Sequence, residues 1–300
     1  MMRYLVILDK NSIKKIAYFL GKSLGILGML FLFYKLSQEY TLASFREKFF
    51  LLIDIVPPLL ILNLISMIMG IYVWHMMLLH YAKREFPYRV SYYFFAKTEI
   101  AKYLPGNIFH FVGRQLLAKK IDLSQSQMMK ISGLFTLLLA VATIVSGAIF
   151  SIFGTGISAE MMLFLVFIAI VSIVLSLTLF PSFPKVKKIE MDFILTTSIG
   201  LQGVMMGVII FSQIDIGGVG LFLQIAGIYV FSWLVGFVTP GASGGIGVRE
   251  GAFIAIAEFV HSGISSEIIL FSILFIRLIN IVADLLAYLS TYLLKNKEYI

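Results

Sequence analysis

Cysteine is absent from the 300 residues, which rules out disulfides, thiolate catalysis and cysteine-based metal sites. Charge is scarce as well: 13% of residues are Asp, Glu, Lys or Arg, about half of what a soluble domain carries. The histidines offer no zinc pair, since His75 and His80 are five apart and no H-E-x-x-H is present. There is no G-x-S-x-G elbow and no outward loop long enough to hold a substrate domain. These absences point away from an enzyme and give no reason to expect a cofactor or a metal.

What is present is apolar. Hydrophobic residues make up 60% of the chain, with 27 Phe and 14 Met, and mean hydropathy is +0.97. They fall in runs long enough to cross a bilayer, which takes about 20 helical residues. The expected class is all-α: a polytopic helical membrane protein with seven to eight transmembrane helices and two re-entrant or broken segments. The whole chain, 1–300, reads as a single transmembrane domain.

A first span runs from about Ile16 to Leu36, with no cleavage site evident after it. Further spans follow near 52–80, 128–153, 161–180, 191–211, 219–238 and 266–294. The formal net charge of +8 does not indicate nucleic acid, because the basic residues sit at the ends of apolar runs. There they set orientation and meet anionic headgroups. Eight Lys or Arg lie between Tyr81 and Gln127, and three lysines occupy 185–188, whereas 154–160 and 212–218 carry none. That bias places the basic loops and the N-terminus in the cytoplasm, with 35–48 and its three cations a mild exception. Seven spans leave Lys295 and Lys297 outside. An eighth crossing near 239–262 brings them in, and the parity stays open at this level.

Two segments are too apolar for loops and too broken for spans. The first, near 90–120, is interrupted at Pro105-Gly106 and continues to Gly113-Arg114; the second, near 239–262, opens with Pro240-Gly241 and reaches Gly247-Val248-Arg249. Irregular backbone survives at membrane depth only inside protein or beside a wet cavity. The shared pattern hints at an internal repeat of the kind transporters use, with chance as the alternative.

Five glycines in Thr239–Gly251, among them Gly245, leave backbone N–H groups open to an anion, and Arg249 adds a fork suited to phosphate. A plain turn with Arg249 and Glu250 solvated or paired is the other reading. In the first segment Glu99, Lys102, Tyr103, His110 and Arg114 mix charge with aromatics, as a headgroup site or an interfacial anchor would. Glu99 and Lys102 stand three apart on a helix and can pair. Arg277 lies about eleven residues from either end of its span. A charge that deep costs at least ~2.5 kcal/mol unless it finds a partner. Asn280 and Asp284 share its helix face, giving one polar stripe for function or packing.

KYLPGNIFHFVGR (102–114) and TPGASGGIGVREG (239–251) resemble the two signature stretches of the lysylphosphatidylglycerol synthase transmembrane-region family. This is the flippase-like membrane half of multiple-peptide-resistance proteins, also found as stand-alone members. Arg277 is similar to a third family feature. The resemblance implies a multi-pass plasma (inner) membrane protein that moves or binds a lipid with an anionic or glycosylated head. It makes Glu99, Lys102, Tyr103, Pro105, Gly106, His110 and Arg114 the first motif, and Pro240, Gly241, Gly245, Gly247, Arg249 and Glu250 the second. The expected partner is a membrane lipid, either an anionic phospholipid or a polyprenyl-linked glycolipid. A homo-oligomer or a partner synthase is also compatible, as are a membrane transferase and an accessory subunit.

Overall fold

The computed structural model describes Tyr34 and residues 41–82, 85–103, 109–179, 183–214, 217–239, 245, 247–260 and 263–294. The expected first span and the Pro105-Gly106 and Pro240-Gly241 breaks lie outside them, as do Lys295 and Lys297. Among the described residues there is no strand. The helices are α1 (Leu42–Leu51), α2 (Val56–Ala82), α3 (Tyr88–Glu99), α4 (Phe109–Ala118), α5 (Gln125–Ile152), α6 (Ala159–Leu179), α7 (Lys185–Phe211), α8 (Val219–Val238), α9 (Val248–Phe259) and α10 (Ser266–Ser290). Six of them, α2, α5, α6, α7, α8 and α10, are long and apolar enough to cross a membrane. The chain is therefore an all-α, multi-pass membrane protein.

Residues 41–51 correct the expectation of an outward loop. They form α1, started by a capping box in which Thr41 Oγ1 accepts from Ser44 N–H. Its Phe45 and Phe49 pack on Phe271 and Phe275 of α10. That contact uses up the apolar face a loop would have exposed.

Helix packing relies on close approach, because lipid tails offer no hydrophobic reward for pairing two apolar helices. A Cβ at Gly147 of α5 would stand 2.9 Å from the Phe231 ring of α8, and one at Gly203 of α7 would stand 3.0 Å from the Ala226 carbonyl. α6 is peripheral: only 17% of its most apolar window is buried, against 56% for α7. Its Leu163, Phe167 and Val174 face outward, as lipid-facing side chains do.

Contacts at the helix ends define two poles. At one, Gln127 donates to the Tyr81 carbonyl (3.1 Å), Lys188 to the Leu177 carbonyl (2.6 Å), and the Tyr92 and Ser290 hydroxyls meet at 2.8 Å. Arg89, Lys120 and the lysines of 185–188 belong to this pole. At the other, Lys48 bonds Glu267 at 3.1 Å and Gln213 donates to Ser272 at 2.8 Å.

Two helix pairs do not cross. α3 and α4 have 12 and 10 residues, about 18 and 15 Å of helix against a hydrocarbon core of about 30 Å. They fold back on each other, Gly113 resting on Thr98, and enter from the basic pole. α9, with 12 residues, runs back along α8: Arg249 lies beside Gly236 and Phe253 beside Tyr229. α8 in turn pairs antiparallel with α5, Gly154 meeting Gln224, Ser151 meeting Gly227 and Gly147 meeting Phe231. Continuing that register sets the end of α8 opposite the middle of α5. The α8–α9 hairpin thus enters from the opposite pole and turns at mid-depth. α9 returns the chain to that pole, so α10 ends at the basic one.

Candidate functional site

The tips of the two hairpins meet over a cavity of about 310 Å³. The first contributes Glu99, Lys102, Tyr103, His110 and Phe111, and the second contributes Gly236, Phe237, Gly245 and Arg249. The walls come from α2, α5, α7 and α10, the last presenting Arg277, Asn280 and Asp284. The three-residue polar stripe on α10 therefore does face one space. Its members take separate partners there: Asp284 accepts from Lys102 (2.7 Å) and Tyr103 (2.6 Å), Arg277 pairs with Glu250, and Asn280 accepts from Asn63. An Arg277–Asp284 pair along the helix is not formed.

Not every expected residue faces the cavity. Arg114 is buried behind Glu99, its Nη2 2.8 Å from Glu99 Oε2 and its guanidinium 4.4 Å from the Phe95 ring centre. It positions Glu99, which also accepts from Lys102 at 3.3 Å. The pairing expected for Glu99 and Lys102 is present, while Arg114 stands behind Glu99 and does not line the cavity.

Glu250 is 1% exposed and also lies behind the wall. One of its oxygens accepts from Gly247 N–H (2.7 Å) at the start of α9, and the other pairs with Arg277. Gly247 and Gly245 have φ of +83° and +71°, the left-handed region where a side chain is strained. Gly245 also lies against the Gly236 backbone, 3.2 Å from where its own Cβ would be. The glycines of the second motif thus bring a tight turn onto α8. Gly113 does the corresponding work in the first hairpin, where a Cβ would meet Thr98 Cγ2 at 3.0 Å.

The electrostatic balance follows from this list. Among the described residues, Lys102, Arg114, Arg249 and Arg277 face Glu99, Glu250 and Asp284, which leaves one positive charge in excess. The excess sits at Arg249. Its nearest carboxylate contact is 3.8 Å, to an oxygen Arg277 already holds, and its Nε has no hydrogen-bond partner. His110 Nδ1 is likewise buried and unpartnered. No group of His, Cys, Asp or Glu among the described residues could hold a metal ion.

A neutral polar arc lies on the same wall, and only Asn280 of it was singled out from the sequence. It comprises Asn63 and Ser66 of α2, Ser198 and Gln202 of α7, and Asn280. The available signal was spacing: Asn63 and Ser66 are three apart and Ser198 and Gln202 four apart, so each pair shares a helix face. Opposite them the rings of Trp233 and Phe237 stack at 4.7 Å, with Phe95, Phe135 and Leu139 completing an apolar side.

No family model matches the chain, and no curated protein matches it either.

Proposed function

We propose that the protein is a flippase-like lipid transporter, which binds an anionic or glycosylated lipid head in this cavity and carries it between leaflets. The observation that supports this most is the cation left over at Arg249, beside a cavity between the hairpins. A buried guanidinium without a matched carboxylate is costly, and a phosphate offers it two parallel hydrogen bonds. Pockets for small ligands begin at about 300 Å³, so the cavity suits a headgroup and leaves the acyl chains in the bilayer. Hairpins entering from opposite poles are how paired repeats expose one site to each side in turn. The resemblance of 102–114 and 239–251 to the flippase-like family leads to the same reading.

The basic pole belongs in the cytoplasm by the positive-inside rule, and the plasma (inner) membrane follows from the family resemblance. A membrane transferase is the weaker reading. It needs an acid or base free to move a proton; Glu99 and Glu250 are both committed to ion pairs, which leaves His110 of the three candidates.

The test is a reconstituted scramblase assay with tail-labelled phosphatidylglycerol and, for comparison, tail-labelled diacylglycerol. Wild type should accelerate exchange of the anionic lipid, and Arg249→Ala should lose at least about tenfold of that, one bidentate charged contact being worth ~1.5–3 kcal/mol. Wild-type rates from folded Arg249→Ala and Arg277→Ala proteins would show the proposal to be wrong.

A further inference from the structure

We infer that the site selects phosphodiester lipids whose head carries free hydroxyl groups, such as a glycerol or a sugar ring, over heads of equal charge without them. This rests on the reading above and concerns a different part of the same cavity. Phosphate recognition needs cations, and these are gathered at the hairpin tips. The arc on α2, α7 and α10 holds no charge of its own at Asn63, Ser66, Ser198, Gln202 or Asn280.

Its hydrogen bonds show which atoms are spoken for. Ser66 Oγ donates to the Ser198 carbonyl (2.9 Å) and Ser198 Oγ to the Ser66 carbonyl (2.8 Å), locking α2 to α7. Gln202 Nε2 donates to Ser66 Oγ at 3.2 Å, and Asn63 Nδ2 donates to Asn280 Oδ1. Gln202 Oε1, Asn63 Oδ1 and Asn280 Nδ2 are left with no hydrogen bond among the described residues, yet none is sealed off, because all three residues line the cavity. They are two acceptors and one donor bordering the same space. A hydroxyl both donates and accepts, so a pair of neighbouring hydroxyls satisfies such a set, whereas an alkyl group strands it. The stacked Trp233 and Phe237 rings supply a flat apolar face for the C–H side of a ring or a glycerol backbone.

A site that hydrogen-bonds hydroxyl groups rejects the analogue lacking them far more strongly than an apolar pocket rejects an extra one. The experiment uses the full chain in vesicles and measures exchange of three tail-labelled lipids, each with one negative charge. Phosphatidylglycerol carries a glycerol, phosphatidylinositol a hydroxylated ring, and phosphatidylethanol no free hydroxyl. Either of the first two, or both, should exchange about tenfold or more faster than phosphatidylethanol; which one leads tells glycerol from ring. Gln202→Leu should shrink that gap to about threefold or less. Asn280→Ala serves in the same role should Gln202→Leu fail to fold. Equal rates for all three lipids in wild type would overturn this inference while leaving lipid transport intact. An undiminished gap in both variants would overturn it too. Exchange of none of the three would remove the transport reading and this one with it.

Discussion

The two hairpins do the same job with inverted charges. The α3–α4 tip offers a cation, Lys102, to a carboxylate on α10, Asp284; the α8–α9 hairpin offers a carboxylate, Glu250, to a cation on α10, Arg277. α10 is thus the shared post on which both are latched, seven residues apart. The latches differ in redundancy. Lys102 has Glu99 as a second partner and Asp284 has Tyr103. Glu250 at once pairs with Arg277, helps balance Arg249 and caps α9. The second hairpin should therefore be the more fragile one and the one that an arriving anion can loosen, since phosphate and Glu250 compete for the same guanidinium groups.

The largest expected effect tests that asymmetry. Glu250→Ala takes the shared carboxylate from two buried arginines and removes a cap, so it should cost about 3–5 kcal/mol and show as a sharp fall in thermal stability or folded yield. Asp284→Asn keeps the Tyr103 contact and leaves Lys102 on Glu99, so its loss should be nearer 1–2 kcal/mol. Equal losses from the two would break the comparison. Next come the glycines. Gly236→Ala forces a Cβ to within 2.9 Å of Arg249 Cβ, where helix backbone must move; overpacking of this kind costs about 1–3 kcal/mol. Gly113→Ala meets Thr98 Cγ2 at 3.0 Å and Cβ at 3.3 Å, with backbone no nearer than 3.9 Å, and should cost less, a ranking that thermal melts of the two proteins would sharpen. The smallest effect belongs to the Lys48–Glu267 pair, whose carboxylate side chain is 47% exposed. Glu267→Gln should change stability by less than about 1 kcal/mol.

The helical class and the six long apolar helices are legible in the chain because bilayer thickness sets a length that apolar runs either reach or miss. The broken segments announce themselves through Pro-Gly pairs inside apolar stretches, and Arg277 through its depth. The partners of Arg277 and Asp284 are not legible in this way. Helical spacing puts both on one face, but an interval of seven residues is about 10 Å along the axis, enough for each to meet a different hairpin. Arg114 and Glu250 carry charge in a motif, and nothing in their spacing tells that they stand behind the wall rather than in it. The direction of α9 was equally hidden, since it depends on Gly236 and Gly245 letting two backbones touch. Asn63, Ser66, Ser198 and Gln202 are isolated polar residues in apolar helices, and only their meeting across α2 and α7 makes them an arc.

The central claim is that Arg249 holds a lipid anion between the hairpin tips, and mass spectrometry of the purified protein under native conditions tests it most directly. Wild type extracted in mild detergent should keep a phosphate-bearing lipid, and Arg249→Ala, in which Glu250 still has Arg277, should lose it without unfolding. Retention of the same lipid at the same occupancy by both proteins would contradict the account.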